Sequence, residues 1–239
     1  MRRLSIYLIF AFFAITSLSA QDLDKVLNDH FKASAQDKMS NIASVVRSGK
    51  NNMAAMGVEM GISLYQSRPN KLRVEADFAG SKIIQTYDGT SGWLYAPAMG
   101  IAQPQAMDEG QLKAILSQTE MDSPLWNAQQ KGNTLELLGA SDDGGDNMVK
   151  LTTAEGDEMT IYINKETSLI SKVKSVQNAN GMDVDLEIEM KDYKNIKGIP
   201  TAHYMATKIN GQLQSTMTFD KIEFDKEIDP ALFGKPVVE

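Results

Sequence analysis

The chain of 239 residues contains no cysteine. That absence excludes a disulfide framework, thiolate catalysis and any zinc site built on Cys ligands. Positive charge is also short, with 24 Lys and Arg against 31 Asp and Glu and a formal charge of −7. Duplex nucleic acid is bound by a surplus of Lys and Arg that displaces counterions, so nucleic acid is not an expected partner. Histidine occurs only at His30 and His203, outside the paired spacing of zinc proteases, and both read as surface or core-edge residues. No nucleophile-elbow glycines flank a serine, and no glycine-rich turn opens a helix where a phosphate would sit. Asp183 and Asp185 alternate with apolar neighbours, which marks the wet face of a strand and not an acid/base pair. Asp142-Asp143-Gly144-Gly145-Asp146 lacks the spaced ligands and closing Glu of a calcium loop and reads as a polar hairpin turn. The expectation is a protein that is not an enzyme and that uses neither a cofactor nor a metal.

Long apolar runs are missing too, except at the start. Arg2 and Arg3 precede the run from Leu4 to Leu18, and Ser17, Ser19 and Ala20 then lead into Gln21-Asp22. This is the order of a secretory signal peptide, and the run is shorter than the roughly 20 residues a spanning helix needs. Residues 1–20 are therefore expected to be a signal peptide cleaved after Ala20, and residues 21–239 a single domain exported to the periplasm. No Cys follows the run, so the chain is not expected to carry a lipid anchor of its own.

What the mature chain does have is patterning. Leu23, Val26, Leu27 and Phe31 follow the spacing of a helix with one apolar face, and Asp22 can cap it. A second helical piece is expected through Asp37 to Ala43. Beyond it the period falls to two. Val58, Met60, Ile62 and Leu64 alternate with polar or small neighbours, as do Leu72, Val74, Ala76 and Phe78, and Met182, Val184, Leu186, Ile188 and Met190. Such segments are half-buried antiparallel strands. Ala79-Gly80, Asp88-Gly89, Gly144-Gly145, Glu155-Gly156-Asp157, Asn180-Gly181 and Asn210-Gly211 punctuate them as turns, which gives a meander. In the last strand the apolar phase shifts from Leu213, Met217 and Phe219 to Ile222 and Phe224, which predicts a bulge near Asp220-Lys221 that bends the sheet. The strand pattern breaks once, between Tyr95 and Thr134, where a helix over Asp108 to Ser117 presents Leu112, Ile115 and Leu116. An insertion of that length in a β meander reads as functional or as a lid.

Methionine is abundant, at 14 residues, and Met53, Met56, Met60, Met159, Met182, Met190, Met205 and Met217 lie mainly on strands. β propensity does not explain this, whereas an unbranched thioether can repack around flexible acyl chains or simply fill a core.

One ordered stretch adds a resemblance. Leu64-Tyr65-Gln66-Ser67-Arg68-Pro69-Asn70-Lys71-Leu72-Arg73 is followed by Ile83-Ile84-Gln85-Thr86-Tyr87-Asp88-Gly89-Thr90-Ser91-Gly92-Trp93-Leu94-Tyr95-Ala96-Pro97. It resembles the Arg-Pro-Asn strand end, Asp-Gly turn, Trp-x-Tyr strand and Pro of the LolA-type periplasmic lipoprotein carriers. The order of elements also fits, through to Ile228-Asp229-Pro230-Ala231-Leu232-Phe233. The aromatic common after the Arg-Pro motif is replaced by Leu72-Arg73-Val74.

The resemblance implies a mainly β (α+β) fold, a strongly bent antiparallel sheet forming an incomplete β-barrel closed by a lid of short α-helices. It implies a carrier that shelters lipoprotein acyl chains, or other lipid cargo, between an inner-membrane lipoprotein-releasing transporter and an outer-membrane acceptor, and works as a monomer. A lipid- or lipoprotein-sensing module on the same scaffold is the alternative. Arg68 takes the place of the family arginine that holds the lid closed. The implied cavity lining is Val58, Met60, Ile62, Leu64, Trp93, Leu112, Ile115, Leu116, Met182, Leu186, Met190, Met217 and Phe219.

Overall fold

A computed structural model describes residues 22–179 and 182–238. The expected signal peptide and the Asn180-Gly181 turn lie outside the described residues. A helix α1 spans residues 22–33, and a short α2 follows at Gln36–Met39. Two antiparallel meanders come next. The first runs β1 (Ser44–Met53), β2 (Val58–Ser67), β3 (Lys71–Phe78), β4 (Ser81–Tyr87), β5 (Gly92–Ala96) and β6 (Ile101–Ala106). The second runs β7 (Thr134–Ala140), β8 (Asp146–Thr152), β9 (Glu158–Asn164), β10 (Ile170–Ala179), β11 (Met182–Ile196), β12 (Ile199–Ile209) and β13 (Gln212–Phe224).

β1 pairs with β13, which joins the meanders into one 13-stranded sheet ordered β6-β5-β4-β3-β2-β1-β13-β12-β11-β10-β9-β8-β7. β6 and β7 are its two edges, so the barrel is incomplete. The chain leaves one edge at β6 and re-enters at the other at β7. The segment 107–133 makes that crossing, and it carries α3 (Glu109–Leu116). Asp108 starts α3 by accepting from the backbone N–H of Gln111, while the Gln111 side chain accepts from the backbone N–H of Asp108.

The bend is where the phase shift in the last strand placed it. Ser48 pairs with Lys221 and Gly49 with Phe219, so Asp220 is the extra residue of a bulge. The bulge keeps Phe219 and Ile222 on one face although they are three residues apart. It also brings β13 backbone against Gly49, where a Cβ would lie 2.0 Å from the carbonyl oxygen of Thr218. Only glycine fits that approach.

The helical pieces cover one face of the sheet. Leu23, Val26, Leu27 and Phe31 of α1 pack on a core of Leu125, Val149, Leu151, Ile161 and Ile163. Met39 of α2 joins Val45, Met121, Phe219 and Phe224. Ile115 and Leu112 of α3 pack on Leu72 and Tyr87 with Met107. Alternation and register from Val45 then place Met60, Ile62 and Leu64, and across β13 Met217 and Phe219, on this concave face.

Three sequence expectations are corrected. The second helical piece stops at Met39 and does not continue to Ala43. The stretch after Tyr95 contains strand β6, and Pro104 is tolerated there because β6 is an edge that lacks a neighbour on one side. Both histidines are interior, with His30 and His203 classed among the buried polar residues.

The outer face is not wholly wet. The C-terminal segment lies across β3–β5 as a strap, with Phe233 buried at 1% exposure. Arg73 donates from Nη1 to the carbonyl of Leu232 at 2.8 Å, and Thr86 donates from Oγ1 to the carbonyl of Gly234 at 2.9 Å. The Lys235 ammonium sits 4.9 Å above the Trp93 ring.

Candidate functional site

The site is the concave face and the polar seam that holds the helices on it. Arg68 stands just past the end of β2, where the strand delivers its side chain to the crossing segment. Its Nη1 and Nη2 donate to Oδ2 and Oδ1 of Asp122 at 2.7 and 2.8 Å. Its Nε donates to the carbonyl of Ile42 at 2.8 Å, and Nη2 also reaches the carbonyl of Met39 at 3.0 Å. The planar fork suits this arrangement, because one rigid group meets a carboxylate and two backbone oxygens together. Arg68 thus joins the strand, the end of α2 and the crossing segment.

The seam continues inward. Gln36 of α2 donates from Nε2 to Asp122 Oδ1 at 2.8 Å and accepts from the backbone N–H of Ser123 at 3.1 Å. His30 of α1 lies 2.9 Å from Ser123 Oγ through Nε2 and 2.9 Å from the Ser168 carbonyl through Nδ1. Burial pushes the His30 imidazole below its ordinary pKa, with the Ser168 carbonyl opposing in part. In the neutral form Nδ1–H donates to Ser168 and Nε2 accepts from the Ser123 hydroxyl. One level deeper on β2, Gln66 donates from Nε2 to the carbonyl of Gln118 at 2.8 Å. Its Oε1 accepts from Nη1 of Arg47 on β1.

Beneath this seam the wall is apolar on β2, β11 and β13. Val58, Met60, Ile62 and Leu64 project from β2, with Met60 and Ile62 buried. Met217 and Phe219 project from β13 and Met190 from β11, Met190 and Phe219 packing in the helix-covered clusters. Leu186 shares the face of Met190 by alternation along β11. Leu112 and Ile115 cover this wall from α3. Gly92 lets α3 come close, because a Cβ there would lie 2.7 Å from Leu112 Cδ2 and Met107 Sδ.

Three expected lining residues are placed elsewhere. Trp93 pairs with Thr86 on the opposite face, under the C-terminal strap. Leu116 is 42% exposed on the outer side of α3, since two helical residues of the triplet Leu112, Ile115 and Leu116 already fill the contact. Met182 shares the β11 alternation but is 68% exposed at the strand end, beyond the reach of the helices. No local pattern marks Asp122, Gln36, Gln66 or His30 as members of this seam. A charged Arg47 in the phase of Val45 and Met53 is the sequence signal that marks the inner face of β1 as partly polar. Asp122 lies in a segment without periodicity and gives no such signal.

A hollow of about 540 Å³ also opens along β8–β11, among Lys150, Glu158, Lys174, Asp185 and Glu187, with Met159 and Leu186 beside them. Lys150 pairs there with Glu158 at 2.6 Å and Lys174 with Glu187 at 3.1 Å, and Leu186 of the apolar wall also borders the hollow.

No protein-family model matches the chain, and no curated protein sequence does. Solved structures do. A DUF1329 family protein from Desulfovibrio piger superposes with a TM-score of 0.59 at 14% identity, over 87% of this chain and 97% of that one. A LolA superfamily protein from Nitrosomonas europaea gives 0.56 at 11% identity, over 89% and 97%. The chain has a LolA-like fold. A domain from Vibrio parahaemolyticus named for outer membrane lipoprotein sorting gives 0.56 at 10% identity, over 86% and 93%. Identities this low carry the fold and no residue roles.

Proposed function

We propose that the protein is a periplasmic carrier whose concave face takes up the acyl chains of lipoproteins and passes them from an inner-membrane transporter to an outer-membrane acceptor. The observation that carries this reading is the lid. Three helical pieces hide an apolar wall, and a seam centred on Arg68 and Asp122 fastens them to the sheet. A lid fastened by a few charged hydrogen bonds, each worth roughly 1.5–3 kcal/mol, can open without unfolding the sheet. An acyl chain gains about 0.8 kcal/mol per CH₂ removed from water, so a bound chain can replace the contacts the helices give up. The names of the Vibrio and Nitrosomonas neighbours fit this reading.

In this reading Arg68 is the lid latch, and Val58, Met60, Ile62, Leu64, Leu112, Ile115, Leu186, Met190, Met217 and Phe219 meet the cargo when the lid opens. The protein works as a monomer, is exported by its cleaved leader and performs no reaction. His30 and His203 serve as interior hydrogen-bonding groups, His203 through the carbonyl of Thr201 at 3.0 Å.

The test is extraction. Vesicles containing a tripalmitoylated lipopeptide are incubated with the purified chain and sedimented. The expected result is lipopeptide in the supernatant as a one-to-one complex, with faster uptake by Arg68→Leu. Lipopeptide that stays wholly with the vesicles contradicts the carrier function.

A further inference from the structure

The inner face of β1 reads Val45, Arg47, Gly49, Asn51 and Met53, and two of these are polar where the neighbouring strands are not. Arg47 lies between Leu64 on β2 and Ile222 on β13, and Asn51 between Met60 and Met217. The Arg47 guanidinium makes one side-chain hydrogen bond, to Gln66 Oε1, and no ion pair among the described residues. A guanidinium has five N–H donors, so most of its donors lack a protein acceptor. Burial pulls its pKa down to about 10, which leaves it charged at neutral pH. Asn51 is 9% exposed, and its Oδ1 is the buried side-chain oxygen without a partner among the described residues. Its Nδ2 reaches only Met53 Sδ at 3.6 Å. Turning the amide over would leave the nitrogen unpartnered instead.

A half-buried cation without a counter-charge and a buried amide oxygen without a donor both destabilise the closed protein. Apolar residues of similar size would pack there at lower cost. Their place on the wall that the lid covers points to a ligand that supplies the missing partners.

We propose that Arg47 and Asn51 form a polar station that receives the head of a bound acyl chain, Arg47 donating to its carboxylate or ester carbonyl oxygen and Asn51 accepting from a hydroxyl or N–H beside it. The proposal rests on the carrier reading and adds what the cargo must carry. The chain lies along Met60, Ile62 and Met217, and the oxygen meets Arg47. The station is also tied to the lid. Gln66 uses Oε1 on Arg47 and Nε2 on the carbonyls of Gln118 and Glu120, at 2.8 and 3.5 Å. A guanidinium that turns to meet an acyl oxygen gives up its bond to Gln66, and this loosens that contact with the crossing segment.

The test is equilibrium binding of palmitate, monopalmitoylglycerol and hexadecanol to the purified chain, read by displacement of a fluorescent acyl probe. Wild type is expected to hold palmitate and monopalmitoylglycerol about tenfold or more tighter than hexadecanol, as fits a charged donor on an acyl oxygen. Arg47→Met should bring the three ligands within about twofold of one another, while Arg47→Lys should keep most of the preference and shows that loss is not misfolding. Asn51→Leu should weaken monopalmitoylglycerol and leave palmitate unchanged. A preference for palmitate alone assigns the station to free carboxylates, and equal preference assigns it to the shared acyl oxygen. If all three ligands bind wild type equally, or if Arg47→Met keeps the preference, the station is refuted while acyl binding stands. If none of them binds, the carrier reading itself fails.

Discussion

Asp122 receives both Nη1 and Nη2 of Arg68, at 2.7 and 2.8 Å, although 54 residues separate the two in the chain. The pair is partly buried, with side-chain exposures of 28% for Arg68 and 11% for Asp122. It joins the end of a strand to the segment that crosses the open side of the sheet. Removing either partner strands the other, so Arg68→Leu and Asp122→Ala should each cost about 1–3 kcal/mol of stability. The double variant should cost clearly less than the two added together. Amide hydrogen exchange should rise in residues 36–42 and 118–123 and stay unchanged in β8 and β9. Unchanged exchange in the crossing segment would mean that the pair does not hold the lid.

His30 adds a pH dependence with a definite sign. Burial lowers its pKa in the folded chain from an ordinary 6.5, so the unfolded chain binds the proton first. The stability that this group contributes is present above pH 6.5 and is lost as the pH falls below it. Thermal midpoints measured between pH 7.5 and 5 should therefore fall more steeply for wild type than for His30→Gln. Parallel curves would show that the imidazole binds its proton equally well in the folded and unfolded chain, which contradicts this account.

Trp93 and Met60 separate the two faces of the sheet. Trp93→Ala should leave acyl-probe affinity within about twofold of wild type, because its ring lies under the C-terminal strap with Lys235. Met60→Asp should weaken the probe by about tenfold or more, since it sets a charge in the apolar wall. A loss with Trp93→Ala and none with Met60→Asp would place the ligand on the outer face.

Gly49 tests the bend. Gly49→Ala sets a Cβ against the Thr218 carbonyl and should destabilise by about 1–3 kcal/mol. Gly110→Ala in α3, where a Cβ meets only Asp108 Oδ1 at 3.4 Å, should be neutral or stabilising by up to about 1 kcal/mol. A Gly49→Ala protein as stable as wild type would contradict the close approach of β1 and β13.

Much of the sheet is legible in the sequence because its signals are local. Alternation on β2, β3 and β11, the turn glycines and the phase shift at Asp220 need no knowledge of partners. The spacing of Leu23, Val26, Leu27 and Phe31 likewise gives α1, and Asp108 gives the start of α3. The face of Trp93 is different. Gly92, Trp93, Leu94 and Tyr95 offer no polar residue to mark a wet side, and the strap covers Trp93 from outside, so register alone decides. The seam is less legible still. Arg68 stands in a recognisable motif, but Asp122, Gln36 and His30 meet it only after the crossing segment is laid over the sheet, and their long-range hydrogen bonds leave no periodic trace.

Mass spectrometry of the protein purified from its native envelope tests the carrier function most directly. The expected result is acyl-bearing lipid or lipoprotein copurifying near one equivalent with wild type, and reduced with Met60→Asp. A wild-type protein that copurifies with no acyl species and takes none from lipopeptide vesicles would contradict it.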